Sequence, residues 1–252
     1  MSELERIEQL EKEIRELKGL NNEKKPVYSF SKITDNQLRD LVDIQKEFNS
    51  DKFLHWFTNY IKISKESEEF FITLIVENKD LIYDYNEEDL KVNVIIPILN
   101  KVKFKSFDNK FRDFYELQLR YETEEFIFSG TTDFVVSKGL IRSTKPYFFI
   151  QEFKKGKVNS DPEPQLLAEL ISAVELNNWK TIRGAFIVGA IWNFVILEKL
   201  GENKYQYFVS ENFDSTKIED LKGIYRNLLF VKEEIIEMIN QTIFTKEKKI
   251  RA

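Results

Sequence analysis

The segment YFFIQEFKK, residues 147–155, places charged side chains at the end of an apolar run. Five of its first seven residues are Tyr, Phe or Ile, a composition typical of a buried strand. Glu152 and Lys154 are two residues apart, so a strand would project both side chains from the same face. Burying a charge without a partner is costly. We therefore expect that this pair is either matched by other groups or binds a ligand.

A second acid lies in the preceding predicted strand, where Asp133 follows a glycine in FIFSGTTDFVV. If the two strands are neighbours, Asp133 and Glu152 converge on one point. Two carboxylates that meet in this way repel each other unless a proton or a cation lies between them. Oxygen ligands without His or Cys favour Mg²⁺ or Mn²⁺ over zinc. The sequence thus predicts that the charges on the buried strand are paired through a metal ion.

Each of these residues also has a plainer interpretation. An acidic residue followed two positions later by lysine recurs at least eight times elsewhere in the chain, so the tripeptide alone carries little information. Asp133 could be a turn residue near Gly130. Glu152 and Lys154 could form a surface pair on an edge strand.

Composition excludes several classes of chemistry. Of the 252 residues 42% are hydrophobic, with 22 Phe and 10 Tyr, which is typical of a globular protein. The chain has no cysteine, which excludes disulfides, cysteine nucleophiles, iron–sulfur clusters and thiolate zinc sites. The single histidine, His55, lies in the aromatic stretch KFLHWF, where we expect a packing role. A Ser-His-Asp hydrolase or a multi-histidine metal site is therefore not expected.

Charge and hydropathy bear on the partners. The net charge is −5, which does not by itself favour nucleic acid, but binding depends on local patches. The segment KVKFKSFDNKFR, residues 101–112, carries five cations against Asp108 alone; it could line a phosphate-binding surface or be a solvated strand edge.

The longest apolar run, AFIVGAIWNFVIL, is too short to span a bilayer, and no signal peptide is visible. We expect a soluble cytoplasmic protein with no membrane partner.

The elements that must position the candidate residues alternate between strands and helices. DFYELQLRYE, EFIFSGTTDFVVS and PYFFIQEFK have strong β character, and GAFIVGAIWNFVILEKL and KYQYFVS add further strands. Helices are predicted in NEEDLKVNVIIPILNKV, with a kink at Pro97, in DPEPQLLAELISAVELNNW and in DLKGIYRNLLFVKEEIIEMINQTI. This order predicts an α/β fold, with a central mixed β-sheet flanked by helices, over residues 81–252.

Residues 21–80 are predicted to be a helical region. Thr34 and Gln37 can form a capping box that starts a helix through NQLRDLVDIQKEF. Further helices are predicted in DKFLHWFTNYI and in KESEEFFITLIVE.

Residues 1–20 are predicted to form a short coiled coil. Ile7 and Ile14 fall at heptad position a, and Leu10 and Leu17 at position d, a combination that favours parallel dimers. Two heptads are too few to hold chains together alone, so we expect the helix to reinforce a homo-oligomer formed elsewhere. The alternative is an amphipathic helix that lies on its own domain.

An acid on one strand followed by Glu-x-Lys on the next resembles the signature of the PD-(D/E)xK nuclease superfamily, which has the restriction-endonuclease-like fold. The match is made by Asp133 in GTTDFVV and by Glu152 and Lys154 in QEFKK. Members also carry a helical glutamate upstream, and Glu87 in NEEDLKVNVIIPIL matches it, ten residues before Pro97.

A glutamine downstream extends this resemblance. Gln165 in PQLLAEL resembles the helix glutamine that follows the lysine in the RecB-like branch, although it could equally cap the helix. That branch usually has a tyrosine four residues later, where this chain has Glu169, and Thr132 replaces the proline that usually precedes the first acid. The resemblance covers roughly residues 81–210 and leaves the N-terminal helices unexplained.

The resemblance implies metal-dependent hydrolysis of phosphodiester bonds. The ligands that it implies for one or two Mg²⁺ or Mn²⁺ ions are Asp133, Glu152, the Phe153 carbonyl and Glu87. Lys154 would orient the attacking water and stabilise the developing negative charge. Gln165 would position Lys154 or the phosphate.

The expected function is therefore that of a DNA endonuclease, used in restriction or defence and acting on nucleic acid as a homo-oligomer. The alternative is a non-catalytic nucleic-acid-binding or assembly module that retains the fold. A third interpretation is a coiled-coil scaffold in which the acidic-x-Lys tripeptide is incidental.

Overall fold

The computed structural model describes residues 6, 7, 9, 10, 25–154 and 161–251, the last ten of these by their helical backbone alone. Ten strands in this part of the chain form one mixed sheet. Their bounds are β1 (Val27–Ser29), β2 (Asp43–Lys46), β3 (Lys105–Ser106), β4 (Phe111–Glu122), β5 (Ile127–Lys138), β6 (Thr144–Lys154), β7 (Thr181–Val188), β8 (Ile191–Gly201), β9 (Lys204–Val209) and β10 (Phe213–Asp214).

The strand order places β5 and β6 in the interior of the sheet. The order is β2-β9-β8-β7-β6-β5-β4-β3, with β1 paired to β5 and β10 paired to β8. The neighbours β4, β5 and β6 are antiparallel, whereas β6 and β7 are parallel. β8 is antiparallel to both β7 and β9, and β9 is parallel to β2. β6, β7, β9 and β2 therefore point the same way and finish at one end of the sheet, where ligands bind in many α/β folds.

Helices cover both faces of the sheet. Their bounds are α1 (Asp35–Leu41), α2 (Leu54–Phe57), α3 (Lys65–Asn78), α4 (Glu87–Leu90), α5 (Ile96–Val102), α6 (Pro162–Asn177) and α7 (Ile218–Arg251). One core, which includes Trp56, Phe71 and Phe153, lies between the sheet and α2, α3, α5 and α7. The other, which includes Leu38 and Ile150, lies on the face covered by α1 and α6. Glu152 and Lys154 share the second face with Ile150, because side chains alternate along a strand.

This architecture confirms the predicted fold class, an α/β protein with a central mixed sheet flanked by helices. The three runs with β character are β4, β5 and β6, and the glycine-containing run that follows α6 is the β7–β8 hairpin. Gly189 in its turn has a φ of 59°, a left-handed conformation that suits glycine. The two long helices predicted after β6 and near the C-terminus are α6 and α7.

Two local predictions also hold. The Thr34 hydroxyl accepts a hydrogen bond from the Gln37 N–H, and the Gln37 side chain accepts one from the Thr34 N–H, which completes the capping box. The ring of His55 packs edge-on against Phe230, with 5.2 Å between centroids, in agreement with a packing role.

The prediction that residues 21–80 are helical is wrong in part. α1 ends at Leu41, and the chain continues as strand β2, parallel to β9, instead of extending the helix. Val42 and Ile44 are buried there, and such β-branched side chains pack well in a sheet. β1 pairs with β5, and α2 is a single turn. This region therefore adds two strands to the central sheet.

The irregularity predicted at Pro97 takes the form of a π-helical segment, Lys91–Ile95, between α4 and α5. Proline has no N–H, so the carbonyl of residue 93 cannot receive the usual helical hydrogen bond from position 97. π-helical turns are frequent at functional sites. Here the segment follows Glu87 in the chain and brings Lys91 to the central strands.

The predicted coiled coil falls largely outside the described residues. The residues at positions 6, 7, 9 and 10 are helical, and Ile7 and Leu10 are exposed. Ile14 and Leu17 lie outside the described residues, so the coiled coil stays a prediction. Among the described helices, none is both long enough and apolar enough to cross a bilayer.

Candidate active site

β5 and β6 separate at the point where the candidate acids lie. Their antiparallel ladder ends with Phe134 opposite Gln151, so Asp133 and Glu152 occupy the next pair of positions. Here the Phe153 N–H donates a hydrogen bond to Asp133 Oδ2 at 2.8 Å, and the Asp133 N–H donates to Glu152 Oε1 at 3.4 Å. Bonds to side chains replace the ladder, and the two acids come together as predicted.

Glu152 is buried inside the sheet, and Lys154 beside it is half-buried. β6 lies between β5 and β7, and Glu152 has no exposed surface. Lys154 Nζ lies 3.4 Å from Glu152 Oε2 and 3.8 Å from Glu87 Oε1. The surface-pair interpretation is therefore wrong, and so is the turn interpretation of Asp133, which lies within β5. In the described part of the chain the counter-charge of Glu152 is Lys154.

The surrounding carboxylates hold Lys154 in its charged form. Burial opposes the charge on its ammonium group. The negative charges of Glu152, Asp133 and Glu87 outweigh burial, so that the pKa of Lys154 is raised above its ordinary value. Lys154 is a cation at neutral pH.

A second lysine, Lys91, reaches the site from the π-helical segment. Its Nζ lies 3.1 Å from Glu88 Oε1, 3.2 Å from Glu116 Oε1 and 3.9 Å from Asp133 Oδ1. Burial lowers the pKa of Lys91, but these carboxylates raise it by more. Glu116 stands opposite Asp133 in the register of β4 and β5, and its φ of 50° lies in a region that non-glycine residues rarely adopt. The backbone of β4 is thus strained where it faces Asp133.

Glu169, on α6, adds a fully buried carboxyl group. Gln165, one helical turn earlier, donates a hydrogen bond to Glu169 Oε1 at 3.3 Å. Burial and then the charge of Glu152 raise the pKa of Glu169 well above its ordinary range. Burial, followed by the charge of Asp133, raises the pKa of Glu152 to about 8, although Lys154 opposes that rise.

Glu152 and Glu169 form a pair that retains a proton. The Oε2 atoms of both carboxyl groups are buried and accept no hydrogen bond from the described residues. Two neighbouring buried carboxyl groups cannot both ionise at low cost. Lys154, whose ammonium lies 3.4 Å from Glu152 Oε2, opposes the rise in the pKa of Glu152.

The donor chemistry of the site suits a hard divalent cation. Asp133 and Glu152 offer carboxylate oxygens, and Glu152 Oε2 is a buried acceptor without a hydrogen-bond donor in the described residues. Within the same residues, no three or more His, Cys, Asp or Glu side chains already converge as a metal site. Lys91 and Lys154 lie between the carboxylates instead. The side chains that could hold Mg²⁺ or Mn²⁺ are therefore those of Asp133 and Glu152.

The predicted site residues fall into two groups. Four of them come together at the separation of β5 and β6, namely Asp133, Glu152, Lys154 and Glu87. Gln165 is hydrogen-bonded to Glu169 and is not in ion-pair or hydrogen-bond contact with Lys154 in the described structure. Phe153 gives its N–H to Asp133, and its side chain packs in the core on the opposite face.

Sequence reasoning missed three residues of the site, Lys91, Glu116 and Glu169. A signal for Glu169 exists, because a residue four positions after Gln165 lies on the same face of a helix. Glu116 could have been found by setting the predicted strands β4 and β5 in register. Lys91 could not, because its position depends on the π-helical segment that precedes Pro97.

No protein-family model matches the sequence, and no curated protein matches it significantly. The interpretation of the site therefore rests on its geometry and chemistry.

Proposed function

We propose that this protein is a metal-dependent nuclease of the PD-(D/E)xK type, which hydrolyses phosphodiester bonds in DNA and serves in restriction or defence. The observation that supports this most is the convergence of Asp133 and Glu152, from adjacent strands, beside Lys154. The order of elements also supports a restriction-endonuclease-like core. Glu87 lies on a helix before β4, the acids and the lysine lie on β5 and β6, and α6 follows.

In the proposed mechanism Asp133, Glu152 and the Phe153 carbonyl would hold Mg²⁺ or Mn²⁺. The ion would supply a lowered pKa for the attacking water and positive charge to neutralise the phosphate. Glu152 must be a carboxylate to serve as a ligand, so binding of the ion would displace the proton that burial favours on Glu152. The Phe153 N–H and the ammonium of Lys91 fix Asp133 from two sides.

Lys154 stabilises the negative charge that develops on the phosphate. Its raised pKa keeps it cationic at neutral pH, and its partial burial strengthens its field at the reacting group. Glu87, 3.8 Å away, orients the ammonium group. Gln165 acts on the site through Glu169 and not on the phosphate directly.

We further propose that the nuclease acts in the cytoplasm as a homo-oligomer. Ile7 and Leu10, which are helical and exposed, supply part of the predicted a/d seam. Two active sites held together could cut both strands of a duplex.

A non-catalytic nucleic-acid-binding or assembly module is the second candidate. The observation that favours it is that Lys91 and Lys154 contact the carboxylates of the site and neutralise their charge without a metal ion. In this candidate the lysines are permanent structural partners and the acids never bind a metal ion.

Cleavage assays separate the two candidates. Plasmid, single-stranded DNA and RNA are each incubated with purified protein in Mg²⁺, in Mn²⁺ and in EDTA. The nuclease should cleave DNA with either metal and not in EDTA, and the isosteric change Glu152→Gln should abolish cleavage. A folded wild-type protein that binds a duplex yet cuts none of the three substrates would favour the module.

A further inference from the structure

Two segments with many cations meet at the end of the sheet opposite the carboxyl end of β6. Residues 103–112 form the approach to β4, and residues 138–145 connect β5 to β6. The Gly139 N–H donates to the Lys110 carbonyl at 2.7 Å, and Arg112 Nε donates to the Leu140 carbonyl at 2.8 Å. The Arg112 guanidinium also stacks over the Phe114 ring, 3.9 Å from its centroid. The two segments therefore form one surface.

This surface carries an excess of positive charge on a chain whose net charge is −5. Its cations are Lys103, Lys105, Lys110, Lys138, Arg142 and Lys145, which we call the cationic surface. None of the six has an ion-pair partner within the described part of the chain.

Few acids oppose these cations. Asp108 is the one acid within the two segments, Asp113 follows the first of them directly, and Glu66 on α3 is already paired with Lys101 at 2.7 Å. Lys232 on α7, whose pKa is lowered by burial and then by the charge of Lys103, adds another cation nearby. Such an uncompensated field attracts polyanions.

The cationic surface shares its strands with the candidate active site. Lys138 and Asp133 both lie on β5, five residues apart, a separation of about 17 Å at the usual rise of a strand. The cationic surface and the candidate site thus lie at opposite ends of β5, and the Lys138 and Asp133 side chains project from opposite faces of the sheet.

We propose that the cationic surface binds the phosphate backbone of a DNA duplex. This inference rests on the unpaired cations, and on the proposed function for the choice of DNA as the polyanion. Phe107 and Ile141 are exposed within the surface, and apolar side chains of this kind contact sugars and base edges in nucleic-acid complexes. An anionic membrane is the competing partner, and the proposed nuclease activity favours DNA.

Binding is measured without cleavage, by fluorescence anisotropy of a labelled 30-base-pair duplex in EDTA over a range of salt concentrations. The test variant is Lys105→Gln/Lys110→Gln, in which both substituted residues are exposed. The matched control is Lys204→Gln/Lys217→Gln, two exposed lysines on the other half of the sheet, where β9 and the chain after β10 lie. Vesicles that contain phosphatidylserine serve as the second probe.

The test variant should bind the duplex more weakly, with the slope of log K against log salt reduced by about 2, while the control keeps the wild-type slope. Equal slopes in the test variant and the control would overturn the inference. So would wild-type binding to the vesicles and not to the duplex. Duplex binding that depends on Lys105 and Lys110, without cleavage in Mg²⁺ or Mn²⁺, would uphold the surface and refute the proposed nuclease.

Discussion

The backbone N–H of Phe153 donates a 2.8 Å hydrogen bond to Asp133 Oδ2, at the point where the ladder between β5 and β6 stops. Because the Asp133 side chain accepts a hydrogen bond from the Phe153 N–H, β6 can separate from β5 without leaving that donor unpaired. The separation of the strands lets Lys154 and Lys91 reach the two strand acids from different elements. One hydrogen bond thus accompanies both the opening of the sheet and the assembly of the site.

The first prediction concerns metal binding. Asp133→Asn and Glu152→Gln each remove a charged oxygen ligand and keep the shape of the side chain, so Mn²⁺ should bind each variant at least about tenfold more weakly than the wild type. Titration calorimetry measures this, with Glu202→Gln, an exposed carboxylate, as the control. Equal Mn²⁺ affinity in all four proteins would remove Asp133 and Glu152 as ligands.

The second prediction concerns stability without metal. A carboxyl group whose pKa is raised by folding keeps its proton in the folded chain, while the unfolded chain releases it above about 4.5. The stability of the wild type should therefore fall as the pH rises from about 4.5 to about 8, the pKa of Glu152. Glu169→Gln, which is neutral at every pH, should remove most of this fall.

Urea unfolding at pH 5 and pH 8 measures that effect. The free energy of unfolding of Glu169→Gln, relative to that of the wild type, should rise by at least about 1.4 kcal/mol between pH 5 and pH 8. This is the free energy that corresponds to one unit of pKa shift. Glu202→Gln should show no such gain, because its carboxylate is exposed. If the free energy of unfolding of Glu169→Gln fell between pH 5 and pH 8 by as much as that of the wild type, the shared proton would be contradicted.

The third prediction concerns assembly. If Ile7, Leu10, Ile14 and Leu17 line a parallel seam, deletion of residues 1–20 should shift the protein to a smaller oligomer at a given concentration. Light scattering of the full-length and shortened chains measures the mass. A monomeric full-length protein would refute the seam, and Ile7→Glu/Leu10→Glu should reproduce the effect of the deletion if the seam is correct.

The sequence predicted those parts of the molecule that depend on local patterns. The runs that became β4, β5 and β6 are rich in aromatic and β-branched residues, and the Thr34–Gln37 capping box is a short-range signal. Strand β2 was missed because the helical sequence pattern of α1 continues into it. The segment forms a strand because it pairs with β9, about 160 residues away in the chain.

Some residues of the candidate site could likewise be predicted from local patterns, and others could not. Asp133 and Glu152 could be brought together from the sequence because successive strands are usually neighbours. Lys91 depends on a π-helical turn, which has no strong local signature, whereas Glu116 could have been placed by setting β4 and β5 in register. Glu169 was seen only as a departure from a motif, and its burial against Glu152 gives it a role in the site.

The most direct test of the central claim compares the cleavage rate and the duplex dissociation constant of wild type, Lys154→Ala and Lys154→Arg at one fixed salt concentration in Mg²⁺. If Lys154 acts mainly on the transition state, as proposed, Lys154→Ala should lower turnover by about 10²-fold or more and leave duplex affinity nearly unchanged. Lys154→Arg should not restore turnover, because a planar guanidinium does not replace a compact ammonium group among these carboxylates. Lys217→Ala, at an exposed lysine, should cleave at the wild-type rate. Metal-dependent cleavage that persists at the full rate in Lys154→Ala would contradict the proposed active site.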